Sequence, residues 1–273
     1  MLFSRLLTAL VGIPIILGLV WLGGWPFAVT AAIVAALAAG EASRALNGAS
    51  HAGRASLAFP MVGAAALALV GGVGTSAILA AIAVVLLITI CCALIPVPTV
   101  AWTSQLAAVL YVGLPLSLLV LLRSGIPLSG SVLVGGLLAD RGMAWVLLIL
   151  TTVWAVDIAA YAVGRLVGRH KLWPRISPKK TWEGTVAGLL AGVLVWLAWA
   201  PLFGWAPALA GALGLLTAVA AIVGDLAESA IKRAAGLKDA SALLPGHGGL
   251  LDRLDSLGFA TVVVCFCRML LGS

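Results

Sequence analysis

Residues 142–164 read Gly-Met-Ala-Trp-Val-Leu-Leu-Ile-Leu-Thr-Thr-Val-Trp-Ala-Val-Asp-Ile-Ala-Ala-Tyr-Ala-Val-Gly, an apolar run broken by a single charged side chain, Asp157. A helix needs about 20 apolar residues to cross a hydrocarbon core of roughly 30 Å, because lipid offers no partner to backbone N–H and C=O groups. This stretch is long enough, and it is one of many. Similar runs lie at 6–22, 26–40, 57–74, 76–95, 101–122, 184–203, 206–224 and 257–271. Of 273 residues 63% are apolar and 9% charged, with mean hydropathy +1.21, whereas a soluble domain carries about a quarter charged residues. So few charges cannot coat a soluble core of this size. The sequence predicts an all-α fold, a polytopic transmembrane helical bundle of about nine spans.

Details along the chain agree with that reading. The first run follows Arg5, is long for a signal peptide and is not promptly followed by a small-x-small cleavage site, so it reads as a retained membrane helix. Trp21, Trp25, Trp102, Trp182 and Trp205 stand at span ends, where amphipathic rings favour the interface. Pro14 and Pro115 fall inside spans, which packed membrane helices tolerate, and the 32 glycines suit close helix approach. Cys91, Cys92, Cys265 and Cys267 sit in apolar runs without zinc-knuckle spacing and read as packing residues. Residues 123–141 read as a loop or short re-entrant segment. No internal repeat is evident. The sequence divides into N-terminal transmembrane helices, 1–141, and a C-terminal transmembrane region with polar loops, 142–273, which holds the candidate site.

The basic residues set the orientation. With nine spans one side receives Arg5, Arg44, Arg54, Arg165, Arg169, Lys171, Arg175, Lys179, Lys180, Lys232, Arg233, Lys238 and Arg253. The other receives Arg123, Arg141 and Arg268. That asymmetry puts the N-terminus in the cytoplasm and the C-terminus opposite. The net charge of +7 is then mostly a property of the cytoplasmic face, suited to anionic lipid or to a polyanion.

The acidic residues are sparse and clustered. Asp157, Glu183, Asp225, Glu228, Asp239, Asp252 and Asp255 fall between positions 157 and 255, leaving Glu41 and Asp140 as outliers. Carboxylates inside membrane spans are costly and mark cavities or function. On a helix Asp157, Tyr161 and Arg165 share one face, as do Asp225, Glu228, Ser229 and Lys232. Asp252 and Asp255 are three apart, so one turn could aim both at a common point. Converging carboxylates repel unless a cation lies between them. Oxygen-only ligands, without Cys or paired His, favour Mg²⁺ over zinc. A surface strip of ion pairs would account for Glu228 with Lys232 but poorly for the aspartates.

Two loops carry complementary chemistry. In Gly-Arg-His-Lys-Leu-Trp-Pro-Arg-Ile-Ser-Pro-Lys-Lys-Thr-Trp-Glu-Gly, 168–184, the residues Ser177, Lys179, Lys180 and Thr181 sit just before a helix, where free N–H groups and the dipole favour phosphate. The glycine spacing of a Walker A loop is absent. In Leu-Pro-Gly-His-Gly-Gly-Leu-Leu-Asp-Arg-Leu-Asp, 244–255, the residues Pro245, Gly246, Gly248 and Gly249 allow close backbone approach around His247. Cations for phosphates, carboxylates for Mg²⁺ and a membrane location suggest phosphoryl or nucleotidyl transfer to a lipid.

The same residues carry a family likeness. The stretch Ser-Ala-Ile-Lys-Arg, four residues, Lys-Asp, five residues, then Pro-Gly-His-Gly-Gly-Leu-Leu-Asp-Arg-Leu-Asp, 229–255, resembles the signature of bacterial phosphatidate cytidylyltransferases, the CDP-diacylglycerol synthases. It agrees at Ser229, Lys232, Arg233, Lys238, Asp239, Pro245, His247, Gly248, Gly249, Asp252, Arg253 and Asp255. Asp157, Tyr161, Gly164 and Arg165, and the segment Ser177–Gly184, look like the same family's upstream motifs. The likeness covers roughly 157–258, while the N-terminal half matches only in being hydrophobic and helical. It implies the reaction of CTP with phosphatidate to CDP-diacylglycerol and pyrophosphate, the activation step of phospholipid synthesis. It further implies an Mg²⁺ requirement with K⁺ as a monovalent companion, a homodimer, and an active site facing the cytoplasm from a bacterial inner membrane. Nucleic acid is not among the expected partners.

On that resemblance Asp225 and Asp252 are expected as metal ligands, with Asp255 as ligand or substrate orienter. Lys179 and Lys180, flanked by Ser177 and Thr181, would hold CTP phosphates. Ser229, Lys232 and Arg233 would meet the lipid phosphate or pyrophosphate, with Lys238, Asp239, Gly248, Gly249 and Arg253 completing the substrate contacts. His247 would bridge to a phosphate or orient an aspartate. Asp157, Tyr161 and Arg165 would line the cavity wall. A secondary transporter with Asp157 and Asp225 as a cation relay is the rival class. It leaves the glycine loop and the lysine pair without a role, and its inverted repeats are absent. A membrane alcohol kinase, or a cytidylyltransferase for another lipid phosphate, is a closer rival.

Overall fold

The computed structural model describes residues 2–47, 57–93, 99–125, 131–134, 137–241, 243 and 248–271, with only the backbone at 2–9, 91–93, 99–101, 131–139 and 270–271. Helices dominate: α1 Leu2–Leu22, α2 Gly24–Asn47, α3 Ala58–Val70, α4 Thr75–Ala93, α5 Thr99–Ala108, α6 Leu114–Ser124, α7 Arg141–Leu166, α8 Trp182–Phe203, α9 Pro207–Ala234 and α10 Leu251–Leu271. A single π-helical turn, Val109–Gly113, joins α5 to α6 without a break. Each of the nine apolar runs has most of its described residues on a helix or on this joined pair, though the run 57–74 leaves the helix after Val70. The protein is an all-α membrane protein. Among the described residues five helical stretches are long and apolar enough to cross a bilayer: Gly24–Asn47, Trp102–Ser124, Arg141–Leu166, Trp182–Phe203 and Pro207–Ala234. Leu10–Leu22, Ala58–Val70 and Thr75–Ile90 are shorter apolar helices.

Among the described residues two short antiparallel strand pairs interrupt the helices. Strands β1 (Ser131–Val134) and β2 (Leu137–Asp140) pair Ser131 with Asp140 and Val134 with Leu137. Of the expected loop or re-entrant segment at 123–141, the described residues form a helix end, a left-handed Gly125 cap and two paired strands. Strands of four residues are too short to show a period-two pattern. Asp140, an outlier in the sequence, caps α7 by accepting the Met143 N–H at 2.6 Å. The second hairpin, β3 (Lys171–Trp173) with β4 (Ser177–Thr181), occupies the basic loop before α8.

The chain forms two compact units, Met1–Ile126 with Ile231–Leu254, and Pro127–Ala230 with Asp255–Ser273. In the first, α2 buries an alanine face that includes Ala35, Ala38, Ala39, Ala42 and Ala45. Small residues also bring α3 close to the π turn, where a Cβ on Gly113 would stand 2.9 Å from the Ala64 Cα. Arg123, near the end of α6, donates from Nε to the Val20 carbonyl at 2.5 Å and from Nη2 to that of Trp21 at 3.0 Å. It thereby fills carbonyls that the last turn of α1 leaves open.

In the second unit α7 and α8 pack through glycines. A Cβ on Gly184 would meet the Ala160 carbonyl oxygen at 2.5 Å, and one on Gly188 the Val156 carbonyl oxygen at 3.1 Å. On the next face a Cβ on Gly192 would stand 2.6 Å from the Ala218 Cβ of α9. Trp205, expected at the interface, stacks on Phe203 with ring centroids 4.4 Å apart and on Trp196 at 5.3 Å. Trp145 packs against the same group. These rings form an aromatic cluster at the turn between α8 and α9, where the span ends. Cys265 and Cys267 are buried free thiols, as packing residues should be, while the side chains of Cys91 and Cys92 lie outside the described residues.

Candidate active site

In the second unit the site residues gather around the β3–β4 hairpin and the α8 N-terminus. The hairpin is closed at its base by the Trp182 N–H donating to the His170 carbonyl at 2.9 Å. Glu183 in the first turn of α8 holds it down. Its carboxylate meets His170 Nδ1 at 2.7 Å and accepts the His170 N–H at 3.2 Å. Thr181 ends β4 with extended dihedrals and caps α8, its hydroxyl accepting the Gly184 N–H at 3.2 Å. Gly168 passes so close that a Cβ there would stand 2.7 Å from Thr181 Oγ1. Ser177 and Lys179 lie on β4, Ser177 half-buried and Lys179 exposed. Lys180, the next residue, reaches Asp225 of α9, Nζ to Oδ2 2.5 Å. Ser229, one turn further along α9, donates to Asp225 Oδ1 at 3.4 Å.

Asp255 belongs to this unit as well. Its backbone carbonyl blocks any Cβ on Gly224, so α9 and α10 touch backbone to backbone one residue before Asp225. The Asp255 carboxylate accepts the Ser256 N–H at 2.6 Å. On α7, Arg165 Nη1 donates to the Tyr161 hydroxyl at 2.8 Å, so the predicted shared face exists; Asp157 lies exposed on the same half of the helix. Glu228 is fully buried, which removes it from any solvated strip of ion pairs.

In the first unit the site residues surround the loop between α9 and α10. The end of α9 is a Schellman turn. Gly236 has φ +71°, its N–H donates to the Arg233 carbonyl at 3.1 Å, and the Leu237 N–H to that of Lys232 at 2.8 Å. Arg233 is exposed and donates to the Leu237 carbonyl at 2.9 Å; Lys238, Asp239 and Arg253 are also exposed. Lys232 turns inward and pairs with Asp252. The Asp252 carboxylate further accepts the N–H groups of Ala240 at 3.0 Å and Gly249 at 2.8 Å. Gly248 has φ +83°, and a Cβ on it would stand 2.8 Å from Asp252 Oδ2. A Cβ on Gly249 would stand 2.5 Å from Glu41 Oε2. The glycine pair thus admits two of the chain's own carboxylates, where the sequence suggested close approach to a ligand. His247, Pro245 and Gly246 lie outside the described residues.

Two residues with structural work here were not singled out from the sequence. Glu183 stood in a recognised segment, and only its contact with His170 across the hairpin gives it a role. Glu41 gave one signal, a lone carboxylate in an apolar helix. Among the described residues no three His, Cys, Asp or Glu side chains converge. The donor set is nevertheless all oxygen, the carboxylates of Asp225, Asp252 and Asp255, with Asp225 and Asp252 each balanced by a lysine ammonium that a bound cation would displace. That chemistry fits Mg²⁺, which keeps waters and takes one or two carboxylates together with substrate phosphates.

Apolar helices together with two lysine–carboxylate pairs define the class, a helical membrane protein with a charged site. Over residues 3–271 the chain matches the model of the cytidylyltransferase family, and it belongs to that family. Among curated relatives it is 44% identical over 119 residues to a phosphatidate cytidylyltransferase of Mycobacterium bovis, covering 43% of this chain and 39% of that protein. It is 45% identical over 128 residues to the protein of that name from Brucella suis, covering 45% and 46%. With that of Staphylococcus saprophyticus it shares 44% over 123 residues, covering 44% and 47%. The matched stretch spans less than half the length of each of these relatives.

Proposed function

We propose that this protein is a phosphatidate cytidylyltransferase, a nucleotidyltransferase that converts CTP and phosphatidate into CDP-diacylglycerol and pyrophosphate. One observation carries the reading. Two conspicuous lysines of the family-like segments, Lys180 and Lys232, each lie against one of its aspartates, Asp225 and Asp252. Each pair offers a cation for a phosphate and a carboxylate for a metal ion, the groups that a reaction between two phosphates uses. A phosphate oxygen of the lipid attacks the α-phosphorus of CTP, and the bond from that phosphorus to the β-phosphate oxygen breaks. Pyrophosphate leaves with the bond's electrons. A phosphate is already a nucleophile near neutral pH, so positioning and charge neutralisation do most of the work.

In this mechanism Lys179 and Lys180 bind CTP phosphates at the head of α8, with Ser177 and Thr181 beside them. Ser229, Lys232 and Arg233 take the lipid phosphate or pyrophosphate, and Lys238, Asp239, Gly248, Gly249 and Arg253 complete the substrate contacts. His247 bridges to a phosphate or orients an aspartate. Asp157, Tyr161 and Arg165 line the wall. Asp225, Asp252 and Asp255 are the proposed Mg²⁺ ligands, with K⁺ as a companion ion. When bound, Mg²⁺ supplies charge neutralisation on the transferring phosphoryl group. The proposal extends to nine membrane spans, a division into residues 1–141 and 142–273, a homodimer, and a cytoplasm-facing site in a bacterial inner membrane.

Purified protein in detergent, given phosphatidate and labelled CTP, should form CDP-diacylglycerol and pyrophosphate, and EDTA should stop it until Mg²⁺ is restored. Failure to turn over any lipid phosphate would defeat the reading. Full activity of Asp252→Asn would defeat the metal assignment.

A further inference from the structure

Glu41 is 3% exposed and sits on the alanine face of α2, among Ala38, Ala42 and Ala45. A carboxylate in such a place is costly unless its oxygens are filled. Both are. Ser241 Oγ donates to Oε1 at 2.6 Å, and the Leu251 N–H donates to Oε2 at 2.8 Å. The second donor opens α10, where the helix leaves N–H groups unpaired and its dipole favours a negative charge. These partners lie 200 and 210 residues away in the chain. Gly249 is what lets the carboxylate in, since a Cβ there would stand 2.5 Å from Oε2 and 3.0 Å from Cδ.

The donors taken by Glu41 interleave with those taken by Asp252. Glu41 accepts from residues 241 and 251, and Asp252 accepts from the N–H groups of 240 and 249. Two carboxylates therefore hold both ends of one loop, one reaching back from α10 and the other entering from α2. Removing Glu41 frees Ser241 and Leu251, the immediate neighbours of the groups that fix the Asp252 carboxylate.

We propose that Glu41 is a positioning residue for the transfer: it clamps the two ends of the segment 241–251 and so fixes the direction of the Asp252 carboxylate. The inference rests on the role given to Asp252 above. It gives the N-terminal helices a part in the reaction beyond membrane anchoring, through a residue outside the family-like segments.

Two variants of the full chain in detergent test it. Glu41→Ala removes both acceptors, while Glu41→Gln keeps the shape and one acceptor oxygen but turns an NH₂ toward a donor. Hydrogen–deuterium exchange of a peptide spanning 238–252 should speed up by about tenfold or more in Glu41→Ala and by less in Glu41→Gln, while the 168–181 hairpin stays unchanged. In turnover kcat should fall by about 10- to 100-fold, with both KM values within about threefold of the parent, as expected when a remote contact misplaces a reacting group. Gly249→Ala should lose activity by crowding the same carboxylate. Combining it with Glu41→Asp, which withdraws the carboxylate by one methylene, should recover part of the loss. Unchanged exchange in both Glu41 variants, unchanged kcat, or a rise in KM alone would overturn the clamp. Exchange reads the loop whether or not the parent consumes CTP, so absent parental turnover would strike the functional reading and leave the clamp to be decided by exchange.

Discussion

The two lysine–aspartate pairs are built from the same residue types and live in different surroundings. Lys180 and Asp225 form theirs with side chains 24% and 28% exposed, and Ser229 is a further contact on the aspartate. Lys232 and Asp252 are 11% and 7% exposed, and the aspartate is laced to two backbone N–H groups as well. The first pair is partly exposed, and such a pair contributes little net stability. The second is largely desolvated, so deleting one member leaves a buried charge without its ion-pair partner. One pair is free to exchange its partner for a ligand. The other has its aspartate, a proposed Mg²⁺ ligand, held in one direction by the loop N–H groups.

The largest effect should come from breaking the buried pair. Lys232→Met should lower stability by about 3 kcal/mol, measured by denaturant unfolding in micelles, and abolish turnover. The matching change at the wetter pair, Lys180→Met, should cost less than about 1 kcal/mol in the same measurement. Equal losses from the two would break the distinction. Asp225→Asn sharpens it from the other side: turnover should fall by about 100-fold or more while unfolding shifts by less than about 1 kcal/mol. Gly248→Ala forces a side chain into a left-handed backbone beside Asp252 and should cost about 1–2 kcal/mol. Thr181→Ala, which removes the α8 cap beneath Lys180, should cost about 1 kcal/mol. Thr181→Ser should restore nearly all of it, since serine caps at least as well.

Much of this was legible in the chain and some was not, for identifiable reasons. The helix at 142–164 announced itself because twenty or so consecutive apolar residues are a local property. The shared faces of Tyr161 with Arg165 and Asp225 with Ser229 followed from helical spacing alone, and both pairs meet. The hairpins at 131–140 and 171–181 escaped, because strands of three to five residues carry no period and their pairing depends on a partner strand. Trp205 stands at a span end as the sequence has it, and its contacts with Phe203 and Trp196 could not be read from the sequence. Spacing put Lys180 near a helix start, yet nothing in spacing pairs it with Asp225, 45 positions on.

The sequence by itself determined that the chain crosses a membrane as helices, which chemical groups it carries, and the family to which those groups belong. These are matters of composition and of neighbours within a few turns, where backbone hydrogen bonding and helix periodicity act. Only the tertiary structure decided which charge answers which. Asp252 met Lys232 and the loop N–H groups, and Glu41 crossed 210 positions to cap α10. Such pairings follow from how helices pack and from where glycines permit approach, and a buried charge takes whichever donors that packing delivers.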